Sequence, residues 1–402
     1  MINFDFNKYM GHYVNENDKI LYLDKIKNIK ERFVNGDLNY WINENTYVSE
    51  NEFHKIIELS KYIKTSCDVL IVIGIGGSYV GSKAIIDAFA HTYNVSKPEI
   101  IFLGTNLTSE EYKETLDYIA DKEICLDVVS KSGTTLEVLV AFSLVMNIMK
   151  KKYSKEELKS RVIITTDSKN GDLRKLVDSE GYESLTVPSN VGGRFSCLTP
   201  VGLLPMAVAG VDIAKLLEGA KNSFSRIDDA LEYAVIRDIL FNKGKVVESY
   251  TIYNPKLYFF TEWLKHLFAE TQGKDNHGIL PISLVNTRDL HSLGQFLQEG
   301  NDIIFETIIW VENDYNIKLN KYADNLHSLN AIAFDKTAIA HSNGHTPNNI
   351  ITIKRKDEYH MGELIQFFIL SAICGALLID VDPFNQPGVQ KYKKLIAEEI
   401  NL

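Results

Sequence analysis

The sequence predicts an α/β protein of two domains, each a parallel β-sheet sandwiched by helices, and three observations carry that expectation. Between residues 68 and 188 short apolar runs alternate with longer amphipathic ones, the pattern of parallel strands and their covering helices. After residue 245 apolar runs and long helical patterns alternate again, less regularly. Finally, 402 residues exceed what one hydrophobic core usually supports.

Taken in chain order, the charged, amphipathic segment at 15–33 predicts helices outside the two lobes, so residues 1–60 are expected to form a helical N-terminal extension. The first sheet domain is expected over 61–200. Its strands are DVLIVIG (68–74), EIIFLG (99–104), EICLDVV (123–129), RVIITT (161–166) and ESLTV (183–187), with helical patterns beginning near residues 82, 109, 134 and 171. Five strands and four crossovers complete a doubly wound unit. The Gly- and Pro-rich stretch 189–210 reads as the linker. In the second domain, 201–380, the strands are KVVESYTIY (245–253), GILPISLV (278–285), IIFETIIWV (303–311) and NNIITIK (348–354), with helices over 255–271 and 362–378. A C-terminal segment, 381–402, carries one more amphipathic helix at 390–401.

The composition, 45% hydrophobic and 24% charged, is that of a soluble globular protein. No run approaches the eighteen or so apolar residues of a membrane span. The opening MINFDFNKYM lacks the basic and apolar regions of a signal peptide, so the chain is expected in the cytoplasm with no membrane partner. A net charge of -10 argues against a nucleic-acid surface and against broad attraction of an anionic substrate; an anion must be held by local donors. Cys67, Cys125, Cys197 and Cys374 form no CxxC pair, and no metal site or disulfide is expected from them.

Two strand ends of the first domain carry glycines and hydroxyls where a doubly wound sheet places its ligands. GIGGS (74–78) follows the first strand and precedes a helix, so Gly76 and Gly77 let the backbone approach an anion at a helix N-terminus, beside Ser78. The motif is neither the dinucleotide fingerprint, whose third glycine falls at Tyr79, nor a Walker A loop, which disfavours NAD and ATP. SKSGTT (130–135) offers the hydroxyls of Ser130, Ser132, Thr134 and Thr135 with Lys131 among them. Either loop alone is as well explained by helix capping. Two at neighbouring strand ends favour a phosphate site.

Arg194 lies in VGGRFS (191–196), where Gly192 and Gly193 allow close backbone approach; the plain alternative is an Arg paired in a turn. Glu270 ends an apolar helix marked by Leu257, Phe260, Leu264 and Leu267, and is followed by Gly273, suited to stop it. The negative end of the helix dipole favours the protonated carboxyl, which suits a general base, although most glutamates are simply exposed. His266 lies one turn earlier on the same face. His291, in HSLGQ (291–295), and Lys393, beyond NQPGV (385–389), are individually unremarkable.

Together GIGGS, SKSGTT, VGGRFS, ETQGK, HSLGQ and NQPGV, in this order over nearly the whole chain, resemble the bacterial branch of the glucose-6-phosphate isomerase family. The resemblance implies two sugar-isomerase (SIS) type domains and a homodimer in which His291 is supplied across the interface. It also implies a phosphosugar substrate and no cofactor or metal. By position, Ser78, Ser130, Ser132 and Thr135 would hold the phosphate, with Lys131 in the same loop and Gln386 helping. Glu270 would be the base, Arg194 would stabilise the developing oxyanion, and His291 and Lys393 would assist ring opening. The chain departs from the family pattern at His266, usually Gln, and at Gln390, usually Glu, and it looks short. Two rivals stay open: a sugar-phosphate-binding regulator, which would not need Glu270, His291 and Lys393, and an isomerase of mannose or glucosamine phosphate.

Overall fold

The computed structural model describes residues 2–43, 47–93 and 97–400. Among them ten strands form two five-stranded sheets. The strands are β1 (Asn3–Tyr9), β2 (Val69–Ile73), β3 (Glu99–Leu103), β4 (Ile124–Val129), β5 (Val162–Thr166), β6 (Glu183–Thr186), β7 (Val247–Ile252), β8 (Leu280–Val285), β9 (Ile304–Asn313) and β10 (Asn348–Arg355). The chain divides into two compact units, Glu44–Leu217 and Met1–Asn43 with Glu218–Leu402.

In the unit Glu44–Leu217 the sheet is parallel throughout, in the order β3-β2-β4-β5-β6. β2, β4 and β5 are buried along their whole length, as central parallel strands covered on both faces must be. Val69, Ile71, Ile73, Leu126, Val128 and Ile164 meet Val138, Ala141, Val145 and Met149 of the helix Leu136–Lys152 on one face. Each such side chain contributes about 1.5–3 kcal/mol on burial. The chain leaves β2 for β3 on one side and returns across β2 to β4 on the other. The sheet therefore changes direction between β2 and β4, and the crevice at their carboxyl ends is where this winding places ligands.

The stretch 189–210 is not a linker. Gly193–Leu198 forms a 3-10 turn and Pro200–Val208 a helix with all nine residues buried, packed on the helices Glu50–Ser66 and Val80–Phe89 of the same unit. Its small residues serve close packing: a Cβ on Gly202 would lie 2.1 Å from the Cys197 carbonyl oxygen. The division between units falls instead in the helix Ile213–Asn222.

In the other unit the order is β1-β10-β9-β7-β8, with β1 antiparallel and the rest parallel. The expected N-terminal extension over 1–60 is thus not wholly helical. Asn3–Tyr9 is an edge strand, with Ile2 and Phe6 buried and Phe4 against Phe367. The helices Glu16–Ile20 and Leu23–Asn35 pack within this unit, whereas Glu50–Ser66 belongs to the other. The helix Glu358–Leu378 is long and apolar enough to cross a membrane, but almost all of it is buried against Ile227–Asn242 and Tyr258–Gln272, which makes it a core helix. The last helix, Pro387–Glu399, buries no residue, and Asn401 lies outside the described residues.

Candidate active site

GIGGS leaves β2 as a tight turn. Gly76 has φ +59°, which favours glycine, and Gly76–Ser78 makes one 3-10 turn before the helix Val80–Phe89. A Cβ on Gly77 would fall 1.9 Å from the Gly193 carbonyl oxygen and 2.7 Å from the Arg194 nitrogen, so this loop and VGGRFS meet backbone to backbone. Ser196 Oγ donates to that same carbonyl at 2.6 Å. Gly77 and Gly193 are therefore small because they touch each other. Arg194 is carried on this junction, 2% exposed, its guanidinium 4.9 Å from the Phe195 ring centre. A guanidinium held out of water acts through a lower effective dielectric than one in solution.

SKSGTT leaves β4, the neighbour of β2. Ser130 Oγ accepts from the Gly133 N–H at 3.1 Å, and Thr166 Oγ1 donates to the Ser130 carbonyl at 2.7 Å, which fixes the loop to the end of β5. Gly133, at φ +72°, is needed there, since a Cβ would meet the Leu173 nitrogen at 2.9 Å. Lys131 Nζ donates to the carbonyls of Ser189 at 2.6 Å and Val191 at 3.3 Å, so it ties this loop to the segment leading into Arg194. Burial holds its ammonium below the usual lysine range, partly opposed by Asp167. The hydroxyls of Ser78 and Thr135 have no hydrogen-bond partner among the described residues, and Ser132 is exposed. One unit thus brings together Ser78, Ser130, Ser132, Thr135 and Arg194 on three interlocked loops.

Glu270 lies in the other unit, near the end of Tyr258–Gln272, its side chain 33% exposed. His266 Nε2 stands 3.2 Å from Glu270 Oε2, the contact that a spacing of four on one helix predicts. Two residues further, Gln272 is locked in the core. Its Oε1 accepts from Arg237 Nη1 at 2.6 Å, its Nε2 donates to the Ala372 carbonyl at 3.1 Å, and Gly375 leaves the room it occupies. Arg237 in turn pairs with Glu248 of β7 at 2.8 Å, both fully buried, and Tyr250 donates to the same carboxylate at 3.0 Å. Burial opposes the Arg237 charge, but Glu248 outweighs it and raises its pKa. The helix end that carries Glu270 is therefore pinned from below.

His291 closes the 3-10 turn Arg288–His291 and Lys393 lies on Pro387–Glu399. Both are exposed, and neither side chain makes a hydrogen bond or ion pair among the described residues. Gln386, half-buried, is the N-cap residue of that last helix. All three are in the unit of Glu270.

A model of the phosphoglucose isomerase family matches residues 53–275. A glucose-6-phosphate isomerase of Caldanaerobacter subterraneus subsp. tengcongensis is 40% identical, over 98% of this chain and 94% of that protein. This chain belongs to the phosphoglucose isomerase family. A glucose-6-phosphate isomerase of Staphylococcus haemolyticus is 43% identical over 89% of this chain and 86% of its own length. Among solved structures, a glucose-6-phosphate isomerase of Chlamydia trachomatis superposes with a TM-score of 0.81 at 20% identity, covering 100% of this chain and 88% of that one. The tagatose-6-phosphate ketose/aldose isomerase of Escherichia coli gives 0.55 at 12%, covering 87% and 92%. These likenesses show the fold, two α/β domains of the sugar-isomerase type.

Within this phosphoglucose isomerase fold, sequence reasoning missed Arg237, Glu248 and Gln272. A charged residue inside the helical run 227–242 reads as solvent-facing, and only its partner across the sheet reveals it as buried. The alternation of Glu248 with Val247 and Ser249 held a hint, since a lone acid inside an apolar strand needs a partner.

Proposed function

We propose that this protein interconverts glucose 6-phosphate and fructose 6-phosphate through a cis-enediolate, in glycolysis and gluconeogenesis, with Glu270 as the general base. The observation that carries this reading is the placing of GIGGS and SKSGTT at the adjoining carboxyl ends of β2 and β4, locked to the loop of Arg194. Ser78, Ser130, Ser132 and Thr135 hold the phosphate dianion, with Lys131 in the loop and Gln386 assisting; Gly76, Gly77 and Gly193 keep the backbone close to it. His291 and Lys393 move the proton between ring and chain oxygens during ring opening. Glu270 then takes the proton from C2 beside the carbonyl and returns it to C1. Arg194, always charged, stabilises the enediolate oxygen without giving up a proton of its own. No step calls on a metal or cofactor.

The working form in this reading is a cytoplasmic homodimer in which each subunit receives His291 from its partner. The exposure of His291 supports that, as do the exposed apolar side chains of Tyr315 (86%), Ile317 (56%), Tyr322 (77%) and Ile332 (49%). The helix Leu326–Asn343 buries only Ala338 and His341 of its own residues within the subunit. A coupled assay that counts glucose 6-phosphate formed from fructose 6-phosphate tests the reaction. Turnover on this pair, with at least tenfold lower kcat/KM on mannose 6-phosphate, is expected; turnover on mannose 6-phosphate alone would move the enzyme to another phosphosugar.

A further inference from the structure

We propose that Gln272 is a positioning residue for the isomerisation: its amide, seated in the core of its own unit, sets where the last turn of Tyr258–Gln272 holds Glu270. The inference rests on the reading of Glu270 as the base. Two residues apart on one helix, the two side chains point about 200° from each other. Glu270 keeps 33% of its side chain exposed, whereas Gln272 as a whole is 5% exposed. The last turn of a helix has carbonyls without intrahelical donors and frays most easily. Here Gly273 ends the helix with its N–H on the Ala269 carbonyl at 2.9 Å, and the Gln272 side chain fixes the turn sideways.

The seat is directional. An amide has a donor end and an acceptor end, and here each meets a group on a different element. Arg237 Nη1, on Ile227–Asn242, donates to Oε1 at 2.6 Å, and Nε2 donates to the Ala372 carbonyl of Glu358–Leu378 at 3.1 Å. Arg237 is itself held, with its Nε on Glu248 Oε2 of β7 at 2.8 Å and its guanidinium 4.3 Å from the ring centre of Phe268, which belongs to the helix of Glu270. Arg237 Nη2 is already buried without a partner; without Gln272, Nη1 would lose its own. Gly375 completes the seat, since a Cβ there would lie 2.2 Å from Gln272 Nε2. An apolar side chain of equal size could fill this space but would have no preferred direction in it. A base that takes a proton from carbon acts only in a narrow geometry, and a displacement of about 1 Å costs about a hundredfold in rate. The hydroxyls read as holding the phosphate lie in the other unit, Glu44–Leu217, so losing the seat falls on the chemical step and spares binding.

The test measures kcat, KM for fructose 6-phosphate and the inhibition constant of inorganic phosphate for the full-length enzyme and for Gln272→Met, Gly375→Ala and Glu270→Gln. Turnover is expressed per folded molecule, counted by circular dichroism. Met keeps the volume of Gln272 and loses both hydrogen bonds, while Gly375→Ala leaves the amide intact and takes away its place. In both variants kcat is expected to fall about tenfold or more, with KM and the phosphate inhibition constant within about twofold of the parent's. In a Gln272→Ala background, where no amide remains to be displaced, adding Gly375→Ala is expected to lower kcat no further. Unchanged kcat per folded molecule in Gln272→Met and Gly375→Ala, with Glu270→Gln inactive, would overturn the proposal, and so would losses that multiply in the double variant. Retained turnover in Glu270→Gln would remove the underlying reading instead, whatever Gln272 does.

Discussion

In the unit Glu44–Leu217 the chain steps from β2 out to β3, back across to β4 and on to β5 and β6. In the other unit it steps from β7 to β8, back across to β9 and on to β10, with β1 added antiparallel in the place of β6. The winding is shared; the use of its ends is not. Where β2 and β4 finish, the loops carry glycines and hydroxyls, and those of Ser78 and Thr135 have no hydrogen-bond partner among the described residues. At the matching ends of β7 and β9 the rings of Tyr253, Trp310 and Phe334 pack together, Trp310 on Phe334 at 4.7 Å, and Asn254 caps the next turn. Glu270 stands at the opposite end, because the helix after β7 runs back towards the strand starts and leads through Lys274 and His277 into β8. The winding is the same, and the residues at each strand end decide whether hydroxyls or aromatic rings stand there.

The interiors differ in the same sense. One sheet buries a single acid, Asp127 of β4; the other buries the Arg237–Glu248 pair on one face and His341–Glu306, at 2.6 Å, on the other. The sharpest way to break this contrast is Arg237→Met, which leaves the Glu248 carboxylate in the core with its hydroxyl donors Tyr250 and Thr307 but without its cation. It should destabilise the protein by about 3–5 kcal/mol in urea unfolding, and adding Glu248→Leu should recover most of that. A single-variant cost under about 1 kcal/mol would mean that the pair does not anchor the helix of Glu270. Next in size is Gly77→Ala, whose methyl group must push the two loops apart. About 3 kcal/mol of stability and most of the activity should go with it, while Gly388→Ala, with open space around it, should change neither.

Asp127 tests the other interior. Its Oδ2 has no partner, and burial pushes the carboxyl up to about 7, with the Thr165 hydrogen bond opposing. Below pH 3.8 folded and unfolded chains both carry the proton and burial costs nothing. Between 3.8 and about 7 the unfolded chain gives it up while the folded one keeps it, so stability falls as pH rises, and above 7 the full penalty stays. Asp127→Asn should therefore leave the unfolding midpoint unchanged near pH 4 and raise it increasingly up to pH 7, by no more than about 4 kcal/mol. An equal gain at both ends of the range would assign the effect to packing. The smallest expected change is Ser78→Ala: about 1.5–2 kcal/mol of phosphosugar affinity, read as a KM increase of some tenfold or more, with the melting temperature unaltered.

The strands of both sheets were legible in the sequence because parallel strands buried on two faces read as continuous apolar runs, as VLIVI of β2 does. β1 escaped for the converse reason: in NFDFNKY only Phe4 and Phe6 alternate, and an edge strand shows little more than that. The stretch 189–210 misled because glycine and proline mark both linkers and tight packing, and only the partner, Gly77 for Gly193, tells the two apart. In the candidate site the loops were readable as strand-to-helix turns, and the contact of His266 with Glu270 followed from their spacing. The anchor through Gln272 did not, since Arg237 and Gln272 are far apart in sequence and meet only across the core.

The assignment of Glu270 itself is best tested by Glu270→Gln, which keeps the shape of the side chain and removes its ability to take a proton. Isomerisation of fructose 6-phosphate should fall about a thousandfold or more, with the affinity for the phosphosugar, measured by calorimetry, within about threefold of the parent's. Turnover close to that of the parent enzyme would contradict the central claim and send the search for the base elsewhere in the molecule.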